Sequence, residues 1–131
     1  FPPGYYALRY STIGSTYGGE AMAGWVSQVR KGLVELCVMA ALKDGEAYGY
    51  EILRRLAEAE PLAITESTVY PVLARLSNEG LLSVRVAASP EGPPRRYYRL
   101  TAEGRRRLAE MRSYWKELDA AVCALVFGDQ S

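Results

Sequence analysis

The chain has 131 residues, of which 49% are hydrophobic and 24% are charged, and its formal net charge is +1 at neutral pH. This length supports one domain with one core, and no run of about 18 apolar residues is present that could cross a membrane. The sequence contains no histidine, no P-loop and no glycine-rich dinucleotide motif, so we expect neither an enzyme nor a cofactor or metal site. The two cysteines, Cys37 and Cys123, lie in apolar helical patterns, which indicates a reducing environment and a cytoplasmic protein.

The first 21 residues differ in composition from the rest of the chain. They contain four tyrosines and one phenylalanine among Gly, Ser, Thr and Pro, without any apolar periodicity. We interpret residues 1–21 as a flexible leader or a non-native extension. The alternative is that these tyrosines dock on a partner or in a pocket.

Three helices are predicted next, because apolar residues recur in each segment at helical spacing. The first covers residues 26–42, and its second half is apolar enough to be buried all round. The second covers residues 48–59 and ends before a proline. The third covers residues 65–79, with Thr65 as its N-cap and Gly80 as a left-handed stop.

A β-hairpin follows the third helix. Residues 82–86 alternate as a half-buried strand does, a Pro, Gly and Ser-rich turn comes next, and residues 95–100 form the return strand. Between residues 84 and 107, seven arginines stand against two glutamates, a local surplus of five positive charges. A charge run alone is more often a solvated face, but this one falls on the hairpin and the next helix start. The order predicts a mainly α fold with a small β-hairpin, the winged helix-turn-helix, which places one helix in a DNA groove.

Candidate DNA contacts come from three places in this predicted fold. Short hydroxyls and a phenol in the first turns of the third helix can reach phosphates and base edges, and an arginine further along can hold a phosphate. Tyrosines at the start of the second helix can take a phosphate, although packing in the core is an equal alternative for the first of them. Two hairpin arginines can enter a minor groove or contact the DNA backbone; the alternative is that they are simply solvated at the surface. These candidates are Ser67, Thr68, Tyr70, Arg75, Tyr48, Tyr50, Arg95 and Arg96.

The last helix is predicted to start at a Thr101 cap and to run to about residue 126. Its apolar residues are spaced alternately three and four apart, as in a coiled-coil seam. A second chain is the favoured partner because the stripe is narrow and long; the chain's own core is the alternative. In a symmetric dimer, the tryptophans of the two chains would form a slot for a planar aromatic ligand, with plain packing as the alternative. The seam residues are Leu108, Met111, Trp115, Leu118, Val122 and Leu125.

Five sequence blocks occur in one uninterrupted order over about residues 28–126: Arg30-Lys31-Gly32-Leu33-Val34-Glu35-Leu36, Tyr48-Gly49-Tyr50-Glu51-Ile52, Thr68-Val69-Tyr70-Pro71-Val72-Leu73-Ala74-Arg75-Leu76, Gly80-Leu81-Leu82, and Gly92-Pro93-Pro94-Arg95-Arg96-Tyr97-Tyr98-Arg99-Leu100-Thr101-Ala102-Glu103-Gly104. Together they resemble the PadR family of bacterial transcriptional regulators. The resemblance implies a homodimeric winged-helix repressor whose operator binding is weakened by a phenolic or hydrophobic ligand.

The single C-terminal helix resembles the short, multidrug-responsive subfamily. There, a tryptophan of the last helix and an aspartate four residues later line a pore at the dimer centre, and Trp115 and Asp119 match that arrangement. Trp25 matches the part of the first helix that flanks the pore. Arg95 and Arg96 stand where the family often has Arg then Lys, which keeps the charge.

The sequence thus predicts a sequence-specific DNA-binding transcriptional regulator, a repressor released by a small hydrophobic or aromatic ligand. Its expected partners are an operator in double-stranded DNA, a second copy of the chain and a planar aromatic or hydrophobic small molecule, with no membrane involved. Residues 22–100 are assigned to the DNA-binding domain and residues 101–131 to the dimerisation helix. The alternative function is a winged-helix protein-interaction module that does not bind DNA.

Overall fold

The computed structural model describes residues 20–128 of the chain. The interpretation of the N-terminal segment as a leader therefore lies outside the described residues, apart from its last two positions, which belong to the first helix. None of the described helices is long and apolar enough to cross a membrane. The elements in chain order are α1 (Glu20–Ala40), β1 (Ala47–Tyr48), α2 (Gly49–Ala57), a 3-10 turn (Glu60–Leu62), α3 (Glu66–Asn78), β2 (Leu82–Ala87), β3 (Arg95–Leu100) and α4 (Ala102–Phe127).

The sheet has three antiparallel strands in the order β1-β3-β2. The β2–β3 hairpin pairs from Leu82 with Leu100 out to Ala87 with Arg95. β1 adds two residues to the other edge of β3, where Tyr48 lies opposite Tyr97. The hairpin confirms the predicted wing, but β1 was not predicted, because two residues are too short to show a strand periodicity.

One hydrophobic core joins α1, α2, α3, the bases of β2 and β3, and the start of α4. The apolar stripes predicted for the second and third helices do face this core, as helical spacing requires. The buried apolar residues are Val34, Val38, Met39, Leu42, Ala47, Ile52, Leu56, Val69, Leu73, Leu76, Leu81, Leu82, Tyr98, Leu100 and Leu108.

Three local predictions differ from the structure. The first helix begins at Glu20 rather than at residue 26. Thr65 occupies the N-cap position of α3, but its hydroxyl pairs with the Ser67 hydroxyl at 2.9 Å rather than with a helix amide. The half-buried strand was wrong beyond its first residue: Val84 and Val86 are 40% and 62% exposed, because the hairpin extends past the core.

The end of α3 is tied to the start of α4 by a compact backbone junction. α3 closes in a Schellman arrangement, with Gly80 at φ +80° and the Leu81 amide bonded to the Leu76 carbonyl at 2.9 Å. The Thr101 hydroxyl donates to the Gly80 carbonyl at 2.7 Å and accepts from the Gly104 amide at 3.0 Å, so the predicted Thr101 cap is confirmed. This junction sets the direction in which α4 leaves the domain.

Candidate nucleic-acid interface

The exposed side of α3 carries the side chains that were expected to read DNA. Ser67, Thr68 and Tyr70 are exposed, whereas Val69 and Leu73 are fully buried. The helical period therefore anchors α3 through one face and leaves short hydroxyls and a phenol on the other. Such groups can reach phosphate oxygens and base edges.

Arg75, the predicted phosphate contact on α3, is held in ion pairs within the protein. Its guanidinium lies 2.9 Å from Glu79 and 3.5 Å from Glu35 of α1. Glu35 also lies 3.7 Å from Arg107 of α4. In this arrangement Arg75 links α3 to α1, and its side chain remains half exposed, so a phosphate could still reach the guanidinium.

The start of α2 packs closely against α3. A Cβ placed on Gly49 would lie 2.6 Å from the Tyr70 ring, so only glycine leaves room for that ring. Tyr50 is 60% exposed at the same end of α2. The backbone amide of Tyr48 donates to the Glu51 carboxylate at 3.2 Å, which fixes the first turn. Tyr50 and Tyr70 thus lie at adjoining helix starts.

Arg95 and Arg96 of the wing lie on opposite faces of β3, because side chains alternate along a strand. Arg95 shares its face with Tyr97, and its guanidinium carbon lies 4.5 Å from the centroid of the Tyr48 ring. Arg96 shares its face with the buried Tyr98 and is itself exposed. The predicted arginine pair is therefore present, and its two side chains start from opposite faces of β3.

Tyr98 lies buried on the face of β3 that also carries Arg96. Burial raises the pKa of the Tyr98 phenol, while the nearby charge of Arg96 opposes the rise and Tyr70 adds to it. The buried phenol thus belongs to the base of the wing, and Arg96 extends from the same face of β3 into solvent.

The outer face of the wing is held by an ion pair between Arg85 and Glu46 that the sequence did not predict. Both Nε and Nη2 of Arg85 donate to the two carboxylate oxygens of Glu46, at 3.1 and 2.6 Å. This hydrogen bond from Arg85 holds the pKa of the Glu46 carboxyl below its ordinary value. The Arg85 guanidinium carbon also lies 4.6 Å from the centroid of the Tyr97 ring. Recognising β1 from the sequence would have placed Glu46 beside the hairpin.

The predicted seam on α4 divides into two parts. Leu108 is buried at 5% exposure and Met111 packs against the same core, so these two residues belong to the domain rather than to a free seam. Beyond them, the described chain leaves Trp115, Leu118 and Val122 uncovered, at 38%, 39% and 48% exposure.

The two remaining candidates for the dimer centre are also exposed. Trp25 of α1 is 61% exposed. The Asp119 carboxylate accepts a hydrogen bond from the Cys123 thiol at 3.6 Å. The structure therefore leaves an apolar stripe with one carboxylate beside it on α4, and an exposed indole on α1.

Comparison with known proteins decides the family. The sequence model of the transcriptional regulator PadR-like family matches residues 38–110. The chain belongs to this family. A PadR-like transcription factor from Bacteroides fragilis is 44% identical, with 76% of this chain and 96% of that chain covered and a TM-score of 0.65. A PadR family regulator from Eggerthella lenta is 32% identical, with coverage of 83% and 95% and a TM-score of 0.72.

A third solved relative contains DNA. It is Bacillus subtilis PadR in complex with operator DNA, 25% identical, with 60% of this chain and 46% of that chain covered and a TM-score of 0.56. The PadR-like match spans α2, α3 and the wing and ends at Glu110. It therefore covers every candidate DNA contact, whereas Trp25 and the exposed part of α4 lie outside it.

Proposed function

We propose that this PadR-like regulator represses transcription by binding an operator in double-stranded DNA through α3 and the wing. The observation that carries the proposal is that Ser67, Thr68 and Tyr70 lie exposed on one face of α3, while Arg96 lies exposed on the wing. Hydroxyls and a phenol suit base edges and phosphates, and exposed arginines suit the backbone or a narrow minor groove. The operator complex of the Bacillus subtilis relative supports this use of the fold.

The active form that we propose is a dimer joined through α4. Trp115, Leu118 and Val122 form one stripe that the described chain does not cover, and Leu125 is 88% exposed at its end. A second copy is self-complementary to such a stripe and would remove it from water. Two copies would place their α3 helices about one DNA turn, roughly 34 Å, apart on a near-palindrome. In this scheme residues 22–100 bind DNA and residues 101–131 dimerise.

We further propose that a planar aromatic or hydrophobic small molecule binds at the dimer centre and weakens operator binding. The support is the position of Trp115 in the exposed stripe, with the Asp119 carboxylate one helical turn further along. Two facing indoles provide flat apolar surface for stacking, and a carboxylate can orient a polar group. Trp25 of α1 is a candidate wall of the same pocket. A protein with this role acts where the DNA is, in the cytoplasm.

The wing is tested by replacing Arg95 and Arg96 with alanine together. Each phosphate contact that is lost makes the plot of log affinity against log salt less steep. We therefore expect the magnitude of this slope to decrease by about two, with weaker binding to all duplexes. Fluorescence anisotropy over a salt series measures it. The matched control replaces Arg112 and Lys116 of α4, which removes equal charge away from the wing. An unchanged slope in the wing variant would count against DNA contact by these arginines.

The protein-interaction alternative predicts a different result for the unmodified protein. A DNA-binding wing should retain the protein on a random-duplex column at low salt and release it as salt rises. A module that binds only proteins should wash through the same column. That outcome would replace the DNA-binding proposal with the alternative.

A further inference from the structure

The outer half of the wing projects beyond the core. Val84 and Val86 on its inner face are 40% and 62% exposed, so apolar burial does little to hold this part of the hairpin. Arg95 stands at the far end of β3, opposite Ala87. An arginine there would keep most of its rotamer freedom unless other contacts restrain it, and that freedom would be lost on binding DNA.

The opposite face of the hairpin carries such contacts. Arg85 donates two hydrogen bonds to the Glu46 carboxylate, at 3.1 and 2.6 Å, and its guanidinium carbon lies 4.6 Å from the centroid of the Tyr97 ring. Tyr97 meets Tyr48 edge to face at a centroid distance of 5.6 Å. Arg95 in turn lies over Tyr48 at 4.5 Å. We call these five residues the Arg–Tyr ladder.

The ladder crosses all three strands. Tyr48 belongs to β1, Arg85 to β2, and Tyr97 and Arg95 to β3, and the register places Tyr97 opposite both Tyr48 and Arg85. A carboxylate and a guanidinium that meet through two bonds fix orientation as well as distance. Glu46 therefore lies at one end of a row of contacting rings and guanidinium groups, and Arg95 lies at the other end.

On the basis of the DNA-binding function proposed above, we propose that Glu46 is a positioning residue for the wing: through Arg85 and the two tyrosines it pre-orders Arg95 for contact with the DNA backbone. Its negative charge by itself repels phosphate. The proposal therefore gives Glu46 an effect opposite in sign to the effect of its charge.

Two matched substitutions, Glu46→Gln and Glu91→Gln, test whether Glu46 strengthens or weakens DNA binding. Each removes one negative charge from the wing region, but Glu91 lies in the exposed hairpin turn outside the ladder. Charge alone predicts tighter DNA binding in both variants. The ladder predicts that Glu91→Gln binds as tightly as the unmodified protein or tighter, whereas Glu46→Gln binds about fivefold more weakly, the upper range for one exposed ion pair. Anisotropy with a labelled random duplex measures both.

A double-substitution cycle separates positioning from a general structural role. The ladder connects Glu46 to Arg95 through Arg85, Tyr97 and Tyr48, and this coupling predicts non-additive losses of affinity, whereas independent sites would give additive losses. We expect Arg95→Ala and the double variant Glu46→Gln/Arg95→Ala to bind DNA equally. Arg85→Lys, which keeps the charge but loses the two-bond fork, should lose about the same fivefold as Glu46→Gln. The thermal midpoint of each variant is measured alongside.

The outcomes distinguish this inference from the function on which it rests. If the unmodified protein binds no duplex, the DNA-binding proposal fails and this one falls with it. If the unmodified protein binds but Glu46→Gln binds equally well or tighter, only the positioning role is overturned. Additive losses in the cycle would overturn it too, as would a Glu46→Gln variant that loses affinity only in proportion to lost folded protein.

Discussion

Two glycines of the domain illustrate how single residues serve different purposes. A Cβ on Gly49 would meet the ring and hydroxyl of Tyr70, at 2.6 and 2.8 Å, which are the outer atoms of an exposed side chain. A Cβ on Gly104 would overlap the backbone carbonyl of Leu81, which the junction between α3 and α4 holds in place. Tyr70 can swing away, whereas Leu81 cannot, so the two positions should respond differently to alanine.

We expect Gly49→Ala to displace Tyr70 and to weaken DNA binding about tenfold, the cost of one misplaced groove contact, with stability changed by less than about 1 kcal/mol. We expect Gly104→Ala to destabilise the fold by about 1–3 kcal/mol through overpacking. Urea unfolding gives the stability and anisotropy gives the affinity of the folded protein. A Gly49→Ala variant that binds DNA normally would show that the place of Tyr70 is irrelevant to binding.

At this scale, the sequence could predict contacts between residues that are close together in the chain, but not contacts between distant residues. The Thr101 cap was predictable because a cap hydroxyl and its amide partner are three positions apart. The bonds between Glu46 and Arg85 join positions 39 apart, and no local pattern marks them. The ion pair of Arg75 with Glu35 was hidden for the same reason, because the two residues lie on different helices.

At the scale of elements, periodicity predicted where each helix lies, apart from the start of α1, but it did not predict what covers each apolar face. The spacing of three and four along α4 continues from Leu108 to Leu125, yet the structure covers the first two seam residues with the domain's own core and leaves the rest exposed. The spacing of apolar residues shows which face of a helix is apolar, but it does not show what packs against that face. The same limit applies to β2, where Val84 and Val86 alternate as a buried strand does but lie beyond the core.

The exposed part of α4 carries the ligand prediction. We expect planar aromatic dyes to quench tryptophan emission of the unmodified protein, and Trp115→Ala to abolish both the quenching and the dye binding, because stacking on the indole supplies most of the contact. Trp25→Phe is the control, since it removes the other indole while keeping an aromatic ring. Dye affinity that survives in Trp115→Ala would place the site elsewhere on the protein.

At the scale of the whole molecule, the formal net charge of +1 says little about DNA binding, and its distribution says more. Five surplus positive charges fall between residues 84 and 107, from the wing into the first turns of α4. We expect a single domain with such a surface to bind any duplex weakly. In the proposed dimer, the α4 stripe would join two DNA-binding surfaces, and the larger number of simultaneous contacts would favour an operator over other sequences.

Leu118→Glu tests this link between assembly and operator binding. A charge in the middle of the stripe would be buried unpaired in the dimer, so we expect a monomer at micromolar concentration. Losing the second reading surface should weaken binding to an operator selected from genomic fragments on the order of 100-fold, but binding to random duplex only slightly. Ala120→Glu is the control, because it adds the same charge to α4 on the side away from the stripe.

Analytical ultracentrifugation gives the assembly state, and anisotropy with both duplexes gives the affinities. A Leu118→Glu protein that stays dimeric would move the interface to another surface. A monomer that keeps its operator preference would mean that a single α3 and wing read the site alone.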